Sequence, residues 1–217
     1  MKRVLYHGSE KIIEHPVFGY GNRHNDYGLG FYCTPDKQLA KEWAKRKNND
    51  GFVNEYTIRD DRFHILDLTD NQHDVLHWIA LLMSNRFIEK EIERMYPREL
   101  DYLFQNYLID ITPYDVIIGY RADDAYFRFP ESFIRGDLTV ETLKEIYQLG
   151  DLGKQYVLIS ERAFKNIHFE SFIEAKQEDY QAYYARKEKA DKRYVELLER
   201  DRYSTDTRLK DLVMKND

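Results

Sequence analysis

The order in which strand-like and helix-like segments follow one another limits this chain more than its composition does. Residues 3–7 (RVLYH), 29–34 (LGFYCT), 52–58 (FVNEYTI), 63–68 (FHILDL), 114–120 (YDVIIGY) and 155–160 (QYVLIS) read as strands. FVNEYTI alternates apolar and polar residues, and YDVIIGY is the short apolar run of a buried strand. PDKQLAKEWAKRKNN opens with Pro35 and Asp36 and then repeats Leu39, Ala40 and Trp43, which predicts a helix start. Residues 72–86 predict a helix with Val75, Ile79 and Leu82 on its buried face. Residues 88–108 predict another, interrupted near Pro97, and 139–149 a short amphipathic one. A helical turn (ERAFKN) follows the last strand. Strands and helices thus alternate irregularly, and no G-x-G-x-x-G leaves a strand to open a helix. That pattern argues against a Rossmann domain and predicts an α+β fold.

From residue 171 the chain changes character. It carries no glycine or proline to its end, and its Lys and Arg balance its Asp and Glu. We therefore divide the chain into a domain over 1–170 and a charged helical extension over 171–217. In the extension Tyr180, Tyr184, Lys187, Tyr194 and Leu198 recur at spacings of a long helix. Such a stripe either packs on its own domain or docks a partner, and periodicity does not choose between them.

Several function classes fall away on composition. One cysteine cannot make an internal disulfide. MKRVLYHGSEK leaves too short a gap between charges for a secretory apolar region. No run approaches the roughly 18 apolar residues that span a bilayer. A soluble, cytoplasmic protein is the expectation. The net charge of −6 argues against nucleic acid as the main partner, since the most basic run is only Lys41 to Lys47.

Four stretches could carry chemistry. His73 and His77 have the i, i+4 spacing of a helical zinc site, but no third ligand follows and both fall opposite Val75, Ile79 and Leu82. We expect a solvated face and no metal. Cys33 shares a strand face with Phe31, so it belongs to the core and is inert. Tyr32 points the other way, and Gly28 and Gly30 are expected to leave open space beside its ring for a flat ligand. His7 ends the first strand, where it can bond a hydroxyl, and Gly8 lets its backbone approach an amide. Gln155, at the mouth of a buried strand, can face a cleft. Taken singly, each of these reads as a turn or a strand end.

In combination they resemble the ADP-ribosyltransferase superfamily, in the diphtheria-toxin and poly(ADP-ribose) polymerase branch. YHGS stands where that branch has a His-Gly pair, and GLGFYCT where it has Tyr after a Gly-x-Gly turn. QYVLIS stands at its third motif, with Gln155 in place of Glu. Trp43, in LAKEWA, matches a second aromatic, while Ala40 replaces a serine that usually holds the nicotinamide amide. The pieces LYHGS, DYGLGFYCT, AKEWA, VNEYTI, YDVIIGYRADD and QYVLISERAFKNIHF are similar, in order across residues 5–169, to a bacterial family catalogued as domain of unknown function 3990. In that family a Gln is frequent at the third position.

The resemblance implies a split antiparallel sheet core with flanking helices. It implies NAD as a substrate cleaved between nicotinamide and ribose, with no metal. His7, Tyr32 and Gln155 would be catalytic. Gly8, Ser9, Gly30 and Trp43 would bind NAD, Gly8 at the carboxamide and Trp43 flanking the nicotinamide with Tyr32. A neutral Gln155 would make transfer slow, one ADP-ribose at a time. The loop at Ala122, Asp123 and Asp124 would be a source for a missing carboxylate. The implied partners are NAD, a macromolecular acceptor of unknown identity and a small antitoxin-like protein. An NAD glycohydrolase and a silent nucleotide-binding module remain as alternatives.

Overall fold

The computed structural model describes residues 2–44, 51–122, 128–148, 153–176 and 181–216. Lys45 to Lys47 of the basic run, Asp123, Asp124 and Tyr180 lie outside the described residues. Within them the chain is a mixed α+β protein with two sheets. Strands β1 (Lys2–Ser9), β3 (Gly51–Arg59) and β7 (Ile167–Ala175) form an antiparallel sheet in the order β1-β3-β7. Strands β2 (Phe31–Cys33), β4 (Ile65–Asp67), β5 (Val116–Tyr120) and β6 (Lys154–Leu158) form a second, in the order β2-β6-β5-β4. The wholly antiparallel core that was expected needs one correction: β4 and β5 run parallel. Three helices lie between them, α2 (Val75–Asn85), α3 (Lys90–Met95) and α4 (Pro97–Tyr107). That helical crossover returns the chain to the same end of the sheet, as a parallel pair requires.

Strand alternation sets the layers. In β5, Val116 and Ile118 enter a cluster between the two sheets with Leu5, Phe31, Cys33 and Leu158. Ile117 faces the other way, into a cluster built by the helices. Strand β5 is therefore buried on both faces, as its apolar run predicts. Helix α1 (Lys37–Ala44) lays Ala40 and Ala44 on Val53 of β3 and Ala175 of β7. Asp36 caps it, its Oδ1 accepting from the backbone N–H of Gln38 (2.8 Å) and Leu39 (3.2 Å). The acid expected in the first turn is thus the cap. Pro97 opens α4, where its missing N–H leaves no bond unmade.

Helix α2 is buried nearly all round, from Leu76 to Met83, and starts at Val75 behind an Asp74 cap. The two-faced helix expected over 72–86 is corrected on that point. His73 lies before the helix, and both histidines are half-buried rather than solvated. Their Nδ1 atoms meet the backbone carbonyls of Asp67 (3.0 Å) and Tyr107 (3.0 Å).

Beyond β5 come α5 (Arg128–Ile134), α6 (Val140–Gln148) and α7 (Glu161–Lys165), the last capped by Ser160. The boundary expected after residue 170 falls inside β7. A bulge opposite Glu55 and Tyr56 shifts the register of β7 and breaks its alternation, which hid the strand. The extension continues as α8 (Gln181–Arg202) and α9 (Leu209–Asn216). Leu197 and Leu209 join the same helical core as Leu143 and Phe129. Tyr194 bonds Ser132 (2.6 Å), and the buried Asp201 accepts from the Thr139 N–H (2.8 Å). The second half of α8 and α9 therefore pack on their own domain, whereas Tyr184 is exposed. No described helix is long and apolar enough to cross a membrane.

Candidate functional site

Among the described residues the two sheets exchange backbone hydrogen bonds at one isolated bridge. Tyr6 N–H donates to the Thr34 carbonyl (2.8 Å) and Thr34 N–H to the Tyr6 carbonyl (2.9 Å). Past that bridge β1 and β2 no longer pair, and a cavity of about 610 Å³ opens. That is the size of a pocket for a nucleotide-sized molecule. His7, Gly8, Tyr32, Trp43 and Gln155 all line it, as does Gly30. Residues 10–30 are without helix or strand, and Ile13, Pro16 and Tyr20 from this loop form an outer wall. Asn54 ties the loop down: its amide bonds the Ile13 N–H (2.9 Å) and the Lys11 carbonyl (3.2 Å). Tyr183 of α8 also reaches the cavity.

The His7 ring stacks on Phe31, with centroids 4.4 Å apart. Its Nδ1 lies 2.6 Å from the Tyr32 carbonyl, which can only accept, so Nδ1 carries the hydrogen. Burial pushes the imidazole pKa down. A neutral ring held this way offers Nε2 as an acceptor for a hydroxyl. The backbone of Gly8 follows from strand alternation. Tyr6 turns its N–H and C=O to Thr34, away from β3, so those of Gly8, two residues on, face the same edge. The glycine has a second reason: a Cβ there would sit 2.0 Å from the Ala40 carbonyl oxygen and 2.6 Å from the Ala44 nitrogen. Helix α1 can pack on β1 only because position 8 has no side chain.

Tyr32 points away from Phe31 and Cys33, as alternation predicts. Burial pushes the Cys33 thiol far up, as an inert core cysteine requires. The two glycines do not create the open space expected beside the Tyr32 ring, although Tyr32 and Gly30 line the cavity. Gly28 is left-handed (φ 73°) and its Cβ would meet Asn85, while a Cβ on Gly30 would meet Val157 and Leu158. Both glycines serve close packing. The Tyr32 hydroxyl donates to the Gly28 carbonyl (2.7 Å) and accepts from the Tyr27 N–H (3.0 Å). It thereby clamps the turn that carries Asp26. Tyr27 anchors that turn, fully buried, with its hydroxyl on the Tyr120 carbonyl (2.6 Å) and under Trp78 Nε1 (2.6 Å).

Trp43 presents its ring from α1, with the Arg121 guanidinium 5.4 Å from the centroid. Its Nε1 is buried and has no hydrogen-bond partner among the described residues. Ala40 lies in the apolar layer beneath α1 and does not line the cavity. Ser9 is also outside the cavity lining. Its hydroxyl bonds the Lys11 carbonyl and the Asn54 amide (3.1 Å).

Gln155 shares the Tyr32 face of the second sheet, since Tyr32 pairs with Val157 two residues further along β6. It is 5% exposed. Its Nε2 donates to Asp26 Oδ2 (3.3 Å), and its Oε1 is buried without a partner among the described residues. Asp26 is the residue that the sequence hid. It is 4% exposed, lines the cavity, accepts from the Ala122 N–H (2.9 Å) and faces Arg86 Nη1 at 3.3 Å. Burial raises its carboxyl from the usual 3.8 to about 6, against the pull of the Ala122 N–H, Arg86, Arg121 and Gln155. An acid before a glycine turn reads as a turn residue, and no spacing rule marks it. Ala122, from the loop expected to bring a carboxylate, supplies an N–H that holds Asp26, while Asp123 and Asp124 lie outside the described residues. Among the described residues no group of three His, Cys, Asp or Glu is placed to hold a metal.

A family model described as a protein of unknown function, DUF3990, matches residues 3–169, and the chain belongs to that family. No curated protein and no solved structure matches it.

Proposed function

We propose that the chain is a mono-ADP-ribosyltransferase, with an ADP-ribosyltransferase-like split sheet, that cleaves NAD. The observation that carries the reading is the pair of orphaned polar atoms among the cavity-lining residues. Gln155 Oε1 and Trp43 Nε1 are both buried without partners among the described residues. A buried polar atom left unbonded costs about 1–3 kcal/mol, so such atoms suggest groups held ready for a ligand. They stand with His7 Nε2 and the Gly8 backbone edge in a cavity of fitting size.

In the proposed reaction the bond between ribose C1′ and the nicotinamide nitrogen breaks. The bonding pair leaves with nicotinamide, which departs neutral, so no strong acid is needed. Positive charge develops on the sugar, as in glycoside cleavage. An acceptor nucleophile then bonds C1′ and loses its proton to solvent. His7 would accept from a ribose hydroxyl, and Gly8 would hold the carboxamide. Tyr32 and Trp43 would flank the nicotinamide. Gln155 Oε1 would turn its lone pairs toward the developing cation. We include in the proposal a toxin role checked by a small antitoxin-like protein, which rests on the sequence resemblance.

The test is nicotinamide release from NAD by the purified chain, with the adenylate moiety labelled. Release should fall by about a hundredfold or more in His7→Ala and Gln155→Ala. Label on a macromolecule identifies a transferase, and label only in free ADP-ribose a glycohydrolase. Binding of NAD without any release would refute both.

A further inference from the structure

Asp26 and Gln155 make an arrangement that packing alone does not require. A carboxylate is buried at the cavity wall, and the amide it touches keeps an unbonded oxygen. Each is unfavourable, and an apolar side chain could replace either. The two are linked by one hydrogen bond. An ionised carboxylate only accepts, so the amide must present Nε2 to it. Oε1 is then forced to the opposite side. Arg86 and the Ala122 N–H hold the carboxylate in place from two other directions.

We propose that Asp26 is a positioning residue that fixes the Gln155 amide with Oε1 toward the bound sugar and polarises it. The proposal rests on the NAD-cleaving reading above. A negative charge on the N–H side of an amide draws the proton and pushes electron density onto the oxygen. A neutral side chain thereby presents a more anionic oxygen to the developing cation.

The orientation depends on the charge state of Asp26. Once protonated, its O–H can donate to an amide oxygen, and the reason for one amide orientation disappears. The charged and titratable groups facing Asp26 are Arg86 at the end of α2, Arg121 after β5 and Tyr32 on β2. Burial pushes the Tyr32 hydroxyl far up, so it keeps its proton between pH 5 and about 8. His7 lines the same cavity with its imidazole lowered from 6.5, so a change near pH 6 is assigned to Asp26 by its loss in Asp26→Asn.

The experiment follows the Gln155 side-chain amide by NMR, assigned by its loss in Gln155→Ala, together with nicotinamide release. The amide signals should shift with a midpoint near pH 6 and stay flat in Asp26→Asn. Asp26→Asn should lower kcat by about tenfold or more while KM for NAD stays within about twofold. Asp26→Asn combined with Gln155→Ala should be no slower than Gln155→Ala alone, since Asp26 acts through Gln155. An amide that does not sense Asp26, or additive losses in the double variant, would overturn the proposal. A wild-type chain that releases no nicotinamide would overturn it too. In that case a titrating amide shows that the functional reading failed and not the pairing.

Discussion

Asp26→Asn should make the protein more stable at neutral pH while making it slower. The carboxyl ionises near 3.8 in the unfolded chain and at about 6 in the folded one. A group whose folded value is raised favours folding most below its unfolded value. That contribution is lost as pH rises through the folded value. Ionised Asp26 therefore weighs against the fold above pH 6. A rise of about 2 units corresponds to about 3 kcal/mol at 1.36 kcal/mol per unit. Asn keeps the shape and one acceptor but gives up the contact with Arg86, so a net gain of about 1–3 kcal/mol is expected at pH 8. For a chain this long that raises Tm by about 3–9 °C. At pH 4.5 Asp26 is largely protonated in the folded state, and most of the difference should vanish. Thermal melts of both proteins from pH 4.5 to 8 measure it. A variant that melts lower than wild type at pH 8, or by the same margin at both ends, would refute the reasoning. Stability gained with activity lost is the behaviour of a charge kept for function.

Two further substitutions separate packing from ligand contact. Gly8→Ala should destabilise by about 1–3 kcal/mol or more, because the new Cβ meets the backbone of α1 at 2.0 Å and no flexible side chain can yield. An unchanged urea midpoint would show that α1 does not press on β1. Tyr32→Phe keeps the ring but strands the Tyr27 N–H and the Gly28 carbonyl. It should cost about 1–3 kcal/mol in stability and leave KM for NAD within a few-fold. A stable variant with a large rise in KM would move the role of Tyr32 from ring to hydroxyl.

Much of the strand pattern was legible before any tertiary contact. Phe31 and Cys33 facing the core with Tyr32 turned away follows from the period of a strand, which is a local property. The burial of β5 on both faces is written in its apolar run. The helix start at α1 is written in Asp36. Three things were not legible. Gly28 and Gly30 fill tight contacts with Asn85, Val157 and Leu158, which come from distant parts of the chain. Strand β7 is broken by a bulge that only its pairing with β3 reveals. Ala40 faces the apolar layer between α1 and the first sheet, a matter of how the helix is rolled on the strands.

The site divides the same way. The sequence alone determined which side chains can do chemistry: an imidazole at 7, rings at 32 and 43, an amide at 155. Of these, Tyr32 lies on a strand whose local alternation fixes its direction. Only the tertiary structure decided that Asp26 stands against Gln155, far away in sequence. Tyr27 buries its ring and pins the turn, and Ala122 and Arg86 close on the carboxylate. The shifted carboxyl and the unbonded amide oxygen are products of that enclosure. Desolvation is a property of everything packed around a group, so no local pattern at Asp26 could have shown it.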